Sequence, residues 1–185
     1  PKASPFHSEA GGAAYNKGDA AAAKKLLAEA KYDGSTIRIL NSKQFEFHHR
    51  MALVMAENLK EAGFKVQLDV VDWATLVQRR ADTNLYDVYV THSSFLPEPM
   101  LSPPQLGVGA PGGWDSPAKN VALAAFNAES DPVKRGALWA KVQEVVYDEV
   151  PYIRVGDFAA LSATSAKMTG LVPMPSPAFW NVDLA

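Results

Sequence analysis

Residues 36–70 read TIRILNSKQFEFHHRMALVMAENLKEAGFKVQLDV, and their pattern alone indicates the class of fold. It opens with apolar Ile37 and Ile39 on either side of Arg38, which is typical of a strand, and apolar side chains then recur every three or four residues as on one face of a helix. Gly63 stands where that helix is expected to end. The closing FKVQLDV alternates strictly, which predicts a second strand near a sheet edge, with one buried and one exposed face.

The next residues extend the same pattern by one more helix and one more strand. Asp72 is a suitable cap for a short helix, and residues 86–91 read as a third strand. Strands that alternate with helices through short links pair in parallel by right-handed crossovers. The sequence therefore predicts an α/β fold, a small open and mainly parallel sheet flanked by helices, with extended segments at the two ends of the chain.

Three stretches differ in composition. Residues 1–16 are rich in Ala, Gly, Ser and Pro without an apolar period, so we expect a linker or arm. Residues 17–172 carry the periodic elements and form the α/β lobe. Residues 173–185 read as an extended carboxyl-terminal segment.

The second half of the lobe is predicted to contain two helices and two strands. Residues 121–128 are helical in pattern, and a longer helix starts at Asp131, which is followed by a proline in the first turn. Residues 150–156 and 158–164 are apolar enough to read as strands with a turn between them.

Composition excludes several classes of function. With 185 residues, 48% of them hydrophobic, the chain can bury a core, and a net charge of −2 with scattered Lys and Arg gives no basic patch for nucleic acid. The absence of cysteine excludes disulfides, thiolate metal sites and cysteine nucleophiles. The apolar runs of the chain are shorter than the roughly 20 residues that a membrane span needs, so no membrane insertion is expected.

The ends of the three predicted strands mark the candidate site. Parallel strands end at one edge of a sheet, so residues 41–45, 72–73 and 92–95 should gather there, and ligands of open α/β sheets bind outside this edge. The third strand breaks abruptly in YDVYVTHSSFLPEP, residues 86–99. A long loop rich in proline and glycine follows, and loops of that length are usually functional or disordered.

Two motifs that suggest a cofactor or a metal are weak. Gly107, Gly109 and Gly112 fit G-x-G-x-x-G, but prolines flank them where the dinucleotide motif needs a strand and a helix. His48 and His49 are adjacent in a first helical turn, where their side chains diverge by about 100° and cannot grip one ion together. We expect no cofactor and no metal. The pair reads as a solvated turn, or as one imidazole that reaches a polar solute at the edge.

A catalytic interpretation rests on His92. Beside Ser93, and with Asp72 or Asp87 nearby in the sheet, it has the residue types of a hydrolytic site. No nucleophile elbow accompanies them, and a polar cluster at a strand end more often binds a ligand or caps a turn.

Trp114 is the tryptophan best placed to line a site. It lies in GGWDSP, where nothing local would bury it, whereas Trp139 falls in a periodic helix. Trp114 therefore either forms a wall for a ligand or packs the loop onto the lobe.

The ordered series of segments resembles a known family. The segments are AAAAKKLLAEAKYDG, MALVMAENLKEAGFKVQLDVVDWATL, YDVYVTHSSF, the Gly-Trp-Asp-Ser-Pro turn, DPVKRGALWAKVQEVVYDEVPYIRVG and a closing FWNVDL. In this order they are similar to the peptide/nickel-type extracellular solute-binding proteins, family 5, the capture subunits of ABC importers. The resemblance covers nearly all of residues 15–185.

The resemblance implies a two-lobed clamp, of which this chain is similar to the carboxyl-terminal lobe, and a closing segment that would cross to a missing amino-terminal lobe. It implies a non-catalytic protein in the periplasm or outside the cell, with lipid or cell-surface attachment left open. The implied partners are a small solute, the missing lobe and the permease subunits. The candidate solute-binding residues are Asn41, His92, Ser93, Ser94, Phe95, Trp114 and Asp115.

One departure from the family concerns the solute. Peptide-binding relatives place an aspartate in the loop after the third strand to pair with the peptide ammonium group, but no acid occurs here before Glu98. A buried ammonium without a partner costs several kcal/mol, so binding a peptide in that way requires Glu98 or Asp115 as a substitute. Peptides, metal chelates, sugars and opines all stay open as solutes.

Two other functions remain open at this point. One is a stand-alone α/β hydrolase that uses His92 with an aspartate. The other is a degenerate lobe that serves as an interaction or regulatory domain, without preference for any solute.

Overall fold

The computed structural model describes residues 2, 4–94, 96–101, 106–159, 161–172, 174 and 178–184. Its helices are α1 (Ala20–Glu29), α2 (Glu46–Ala62), α3 (Trp73–Arg79), α4 (Pro117–Ala128) and α5 (Pro132–Glu149). Its strands are β1 (Thr36–Ser42), β2 (Lys65–Val71), β3 (Val88–Tyr89), β4 (Met168–Thr169) and β5 (Asp183–Leu184).

The three strands predicted from the sequence form one parallel sheet in the order β2-β1-β3. Ile39 on the central strand aligns with Leu68 on one side and Val88 on the other. The predicted α/β class is confirmed, and the strictly alternating strand β2 does lie at an edge.

The central strand β1 is covered on both faces. Ile39 packs with Ala52 and Ala56 of α2, whereas the next residue, Leu40, packs with Leu76 of α3. Successive side chains of a strand point to opposite faces of the sheet, so a helix on each face packs against one of these two residues. This arrangement leaves the carboxyl ends of the strands as the open edge.

Local signals set the helix boundaries. Gly63 ends α2 in the left-handed conformation, with φ of 106°, which glycine adopts without steric cost. Asp72 accepts a hydrogen bond from the backbone N–H of Thr75 and caps α3, and Asp131 caps α5 by accepting from the N–H groups of Val133 and Lys134. These caps stand where the sequence predicts them.

Helices α4 and α5 form a second packed unit. Leu123 of α4 and Val142 of α5 are buried against Leu106, with Trp114 and Trp139 packed around them. The predicted arm contacts this unit as well, because Gln143 donates from its amide to the carbonyl oxygens of Ser8 and Ala10. The division into arm, lobe and closing segment stays a prediction.

The two strands predicted at residues 150–156 and 158–164 are wrong. Among the described residues of both stretches no strand forms, and Ile153, Val155 and Leu161 lie largely exposed. A strand needs the backbone of a second strand for its hydrogen bonds, and the described residues supply none here. The strands that do form are β4 and β5, a short antiparallel pair.

None of the helices in the described part of the chain is long and apolar enough to span a lipid bilayer.

Candidate functional site: an imidazole cluster at the strand ends

Asn41 anchors the open edge of the sheet. It lies on β1 just before the strand ends, is fully buried, and donates from its side-chain amide to the carbonyl oxygens of Ile39 and Asp69, at 3.4 Å each. Its amide oxygen is 2.9 Å from Nδ1 of His49 in the first turn of α2. Asn41, which the sequence analysis predicts to bind the solute, is therefore buried and links β1, β2 and α2 by hydrogen bonds.

Two histidines from distant parts of the sequence meet at the same edge. Nε2 of His48, in α2, lies 2.9 Å from Nδ1 of His92, which follows β3, and a hydrogen bond joins the two rings. His48 is fully buried, whereas His92 is half-buried. The interpretation of the first turn of α2 as solvated is therefore wrong for His48, because the turn packs against the end of β3.

Aromatic rings enclose this histidine pair. Trp73 stacks on both imidazoles, with ring centroids 5.6 Å from His48 and 6.0 Å from His92. Phe45, Phe47 and Phe158 contact the pair edge-on or tilted. We call these six residues the imidazole cluster: Phe45, Phe47, His48, Trp73, His92 and Phe158.

Burial controls the charge of His48. Burial, together with a smaller effect of the neighbouring His92, lowers the pKa of His48 from its ordinary value of 6.5 to about 4. The position of His48 in the first turn of α2 acts in the same direction, since the amino end of a helix disfavours a cation. His48 is therefore neutral at physiological pH.

The serines that follow His92 face outward. Ser93 and Ser94 are exposed at the broken end of the third strand, directly beyond the imidazole cluster. Phe95, also predicted to bind solute, lies outside the described residues. The strand ends thus bring Asn41, His92 and the two serines to one rim, as the topology requires.

Trp114 and Asp115 lie in the α4–α5 unit. The indole N–H of Trp114 donates to Glu149 at 2.6 Å, and its ring receives the ammonium of Lys119 at 4.9 Å from the ring centre. Ser116 donates to the same carboxylate at 2.7 Å. We call Trp114, Ser116, Lys119 and Glu149 the Glu149 cluster. The hydrogen bonds from Ser116 and Trp114 lower the pKa of Glu149, and Lys119 adds a smaller effect in the same direction.

The acids that were considered as partners of His92 are engaged elsewhere. Asp87 forms an ion pair with Arg38 at 3.0 Å, and Asp72 caps α3 with both oxygens bonded to Thr75. Because Nδ1 of His92 faces His48 rather than a carboxylate, the geometry gives a hydrolytic triad no support.

The two acids that might replace the missing aspartate differ. Glu98 pairs with Arg135 at 2.7 Å. Asp115 is exposed, and no cation of the described residues pairs with it. Within the described ranges, no group of three or more His, Asp or Glu side chains could hold a metal ion.

Sequence reasoning found the rim but missed most of its aromatic wall. The dense aromatic run around Phe45 and Phe47 beside two histidines was a usable signal, because both rings fall directly after a strand end. Phe158 gave no signal, since it comes from a segment more than sixty residues beyond His92 and reaches the cluster only by tertiary packing.

The comparisons with known proteins place the chain in a family. Residues 1–110 match the model of bacterial extracellular solute-binding proteins, family 5 middle region. The chain therefore belongs to the family 5 extracellular solute-binding proteins.

Individual relatives agree with this membership. The chain is 29% identical over 178 residues to a "probable peptide ABC transporter periplasmic-binding protein", y4tO of Sinorhizobium fredii, a match that covers 91% of this chain and 34% of that protein. The chain thus spans about a third of the length of this curated relative.

Solved structures share the fold. A dipeptide-binding protein of Pseudoalteromonas sp. SM9913, in complex with Met-Leu, superposes with a TM-score of 0.72 at 18% identity, over 100% of this chain and 39% of that one. The binding protein MoaA of A. tumefaciens R10, in complex with mannopinic acid, superposes with a TM-score of 0.57 at 23% identity, over 72% of this chain and 29% of that one.

Proposed function

We propose that this chain is one lobe of the solute-binding subunit of an ABC importer. It binds a small polar solute, such as a peptide, a metal chelate, a sugar or an opine, at the rim formed by the strand ends, and it catalyses no reaction. The proposal includes a second lobe that closes over the rim, permease subunits that accept the solute, and a periplasmic or extracellular location.

One observation carries the proposal beyond family membership. The polar and aromatic side chains at the ends of the strands form a half-open surface rather than a closed core, with His92 half-buried and Ser93 and Ser94 exposed. Stacking surfaces with a few directed polar groups are what a small-solute site needs. His92, Ser93, Ser94, Phe95, Trp114 and Asp115 remain the proposed contacts, whereas Asn41 is fully buried and is proposed to hold the rim in place rather than to touch the solute.

Peptides and opines are the two proposed solute classes that structural relatives are seen to hold. One structural relative holds the dipeptide Met-Leu and another holds mannopinic acid. Since Glu98 is paired with Arg135, an ammonium group would have Asp115 as the remaining candidate partner among the acids considered. A solute that binds through oxygen atoms needs neither acid.

The test uses the full-length protein that contains this chain. Calorimetric titration with Met-Leu and with mannopinic acid should show saturable binding of at least one probe, and Ser93→Ala with Ser94→Ala should weaken that binding. A matched exposed change, Ser130→Ala in the α4–α5 connection, should leave the affinity unchanged.

The catalytic alternative is tested with the same preparations. If the 185-residue chain alone hydrolyses a peptide or ester substrate, and His92→Ala abolishes this turnover, the binding proposal is wrong. Saturable binding without turnover supports it.

A further inference from the structure

The His48–His92 hydrogen bond has a direction that the surroundings decide. Each neutral imidazole carries one N–H and one bare nitrogen, so one ring donates and the other accepts. Either the N–H on Nε2 of His48 donates to His92, or the N–H on Nδ1 of His92 donates to His48. The first arrangement leaves an N–H on Nε2 of His92, and the second leaves a bare nitrogen there.

The other nitrogen of His48 distinguishes the two arrangements. Nδ1 of His48 is fully buried and has no hydrogen-bond partner among the described residues. If His48 accepted through Nε2, its proton would sit on Nδ1 as a buried N–H without an acceptor. If His48 donates through Nε2, only a lone pair is left without a partner. Unpaired buried N–H groups are the rarer of the two in proteins.

The charge state of His48 limits the choice to its two neutral tautomers. With its pKa lowered to about 4, His48 is a neutral ring with a single proton to place. The surrounding groups of the cluster are aromatic. The charged or titratable side chains on the neighbouring segments are Lys43, Glu46, His49, Arg50, Asp72, Arg154 and Asp157.

Six of these seven side chains have a partner of their own. Glu46 is paired with Arg50, and Asp157 is paired with Arg154. Asp72 accepts from Thr75, and His49 bonds to Asn41. None of these contacts reaches the histidine pair, so the choice of direction falls to the two rings and their aromatic enclosure.

We propose that His48 is a positioning residue that fixes His92 in the tautomer with its proton on Nε2, so that the rim presents an N–H donor to an oxygen atom of the solute. The inference rests on the proposed function of the same site. It names a carboxylate or carbonyl oxygen as the group that His92 recognises. Among the described residues, His48 is the one partner that hydrogen-bonds the His92 ring.

The decisive measurement is the tautomer of His92. In full-length protein labelled with 15N at histidine, long-range proton–nitrogen correlation at pH 7 should show a protonated Nε2 and a hydrogen-bonded, unprotonated Nδ1 for His92. The chain has four histidines, so His7→Gln, His48→Gln, His49→Gln and His92→Gln assign its signals. A protonated Nδ1 on His92, with His48 Nδ1–H directed at an aromatic ring, would overturn the inference.

Two variants of His48 separate positioning from packing. His48→Gln keeps an amide N–H close to the place of Nε2 and should keep the Nε2–H signature of His92. His48→Met fills similar space without a donor and should give a mixture of tautomers. With about half of the His92 rings carrying the proton on Nδ1, binding of whichever probe the wild type binds, Met-Leu or mannopinic acid, should weaken about twofold. His7→Gln, in the amino-terminal segment, is the matched control and should change neither result.

The outcomes separate this inference from the proposed function. If the wild type binds neither probe but His92 shows the Nε2–H tautomer, the positioning role of His48 stands and the solute assignment fails. If a probe binds but His48→Met and His48→Gln weaken binding equally, His48 acts only through packing and the inference fails.

Discussion

Two regions of this molecule each hold a tryptophan beside polar side chains, and they satisfy those polar groups differently. In the Glu149 cluster, the carboxylate accepts from both Trp114 and Ser116, and Lys119 donates to the carbonyl oxygen of Trp114. In the imidazole cluster, the indole of Trp73 makes ring contacts and no hydrogen bond to the described residues, and a buried nitrogen of His48 has no partner among them.

The comparison indicates what each region is built for. A cluster whose polar groups are paired internally fixes a loop on its helices, because removing any partner leaves another group unpaired. The imidazole cluster instead places the half-buried His92 beside the exposed Ser93 and Ser94, and polar groups that solvent can reach beside aromatic rings suit a ligand surface. By this criterion the rim is the stronger candidate site, and Trp114 holds the 106–116 loop in place whether or not it also contacts solute.

The largest expected effect tests whether the two regions are independent. Phe126 of α4 is fully buried, with its ring 5.3 Å from Trp139 and under the guanidinium of Arg135 at 4.1 Å. Phe126→Ala should cost about 3–5 kcal/mol in urea denaturation, because it leaves a cavity in the α4–α5 unit. Val133→Ala, at an exposed site of α5, should cost little.

The same variant also tests whether the imidazole cluster depends on the α4–α5 unit. The histidine NMR signals of the imidazole cluster should keep their wild-type positions in Phe126→Ala under conditions where the protein is folded. Displaced signals for His48 or His92 would mean that the two regions form one cooperative unit.

The next effect concerns pH. The folded-state pKa of His48 is about 4, below the ordinary 6.5. Between these two pH values, His48 is protonated in the unfolded chain and neutral in the folded chain. The stability of the folded chain therefore does not suffer from His48 above pH 6.5, and it decreases as the pH falls from 6.5 toward 4. We expect the Tm to fall by several degrees across this window, since ~1 kcal/mol corresponds to about 2–4 °C for a chain of this size.

Carboxylates titrate near the lower end of the same window, so a variant must isolate the histidine. His48→Gln should show a smaller fall in Tm between pH 6.5 and 4 than the wild type. Equal falls in both proteins would show that His48 does not resist protonation. His7→Gln should behave as the wild type does.

A smaller effect is expected at Trp114. In the full-length protein, Trp114→Ala should weaken binding of the probe by more than ~1 kcal/mol without unfolding the chain, because it removes a stacking surface and loosens its loop. Calorimetric titration measures this. Unchanged affinity in a folded variant would assign Trp114 to packing alone.

The smallest effect is expected at Glu98. Its carboxylate already faces Arg135, so Glu98→Gln should change the affinity for Met-Leu by less than about twofold. Asp115→Asn, which removes a carboxylate without a paired cation among the described residues, is the matched comparison and should weaken Met-Leu binding more. The reverse order would make Glu98 the ammonium partner.

Elements whose causes are local could be predicted from the residues alone. The alternation of Ile37 and Ile39, the left-handed glycine at Gly63 and the capping carboxylates of Asp72 and Asp131 act within a few residues, so their patterns predict strand, helix end and helix start directly. Parallel topology followed as well, because short helical crossovers leave few alternatives, and with it the gathering of strand ends at one rim.

The pairing of side chains that lie far apart in the sequence depended on the packing of the whole lobe. Nothing local to His48 or His92 indicates that they bond to each other, that Phe158 covers them, or that Glu149 accepts from Trp114. The strands expected after Val150 failed for the same reason, since a strand depends on a partner that its own residues do not supply. Backbone sterics and helix capping depend on residues that are neighbours in the sequence. Burial and hydrogen-bond pairing depend on which distant segment packs against a residue in the fold.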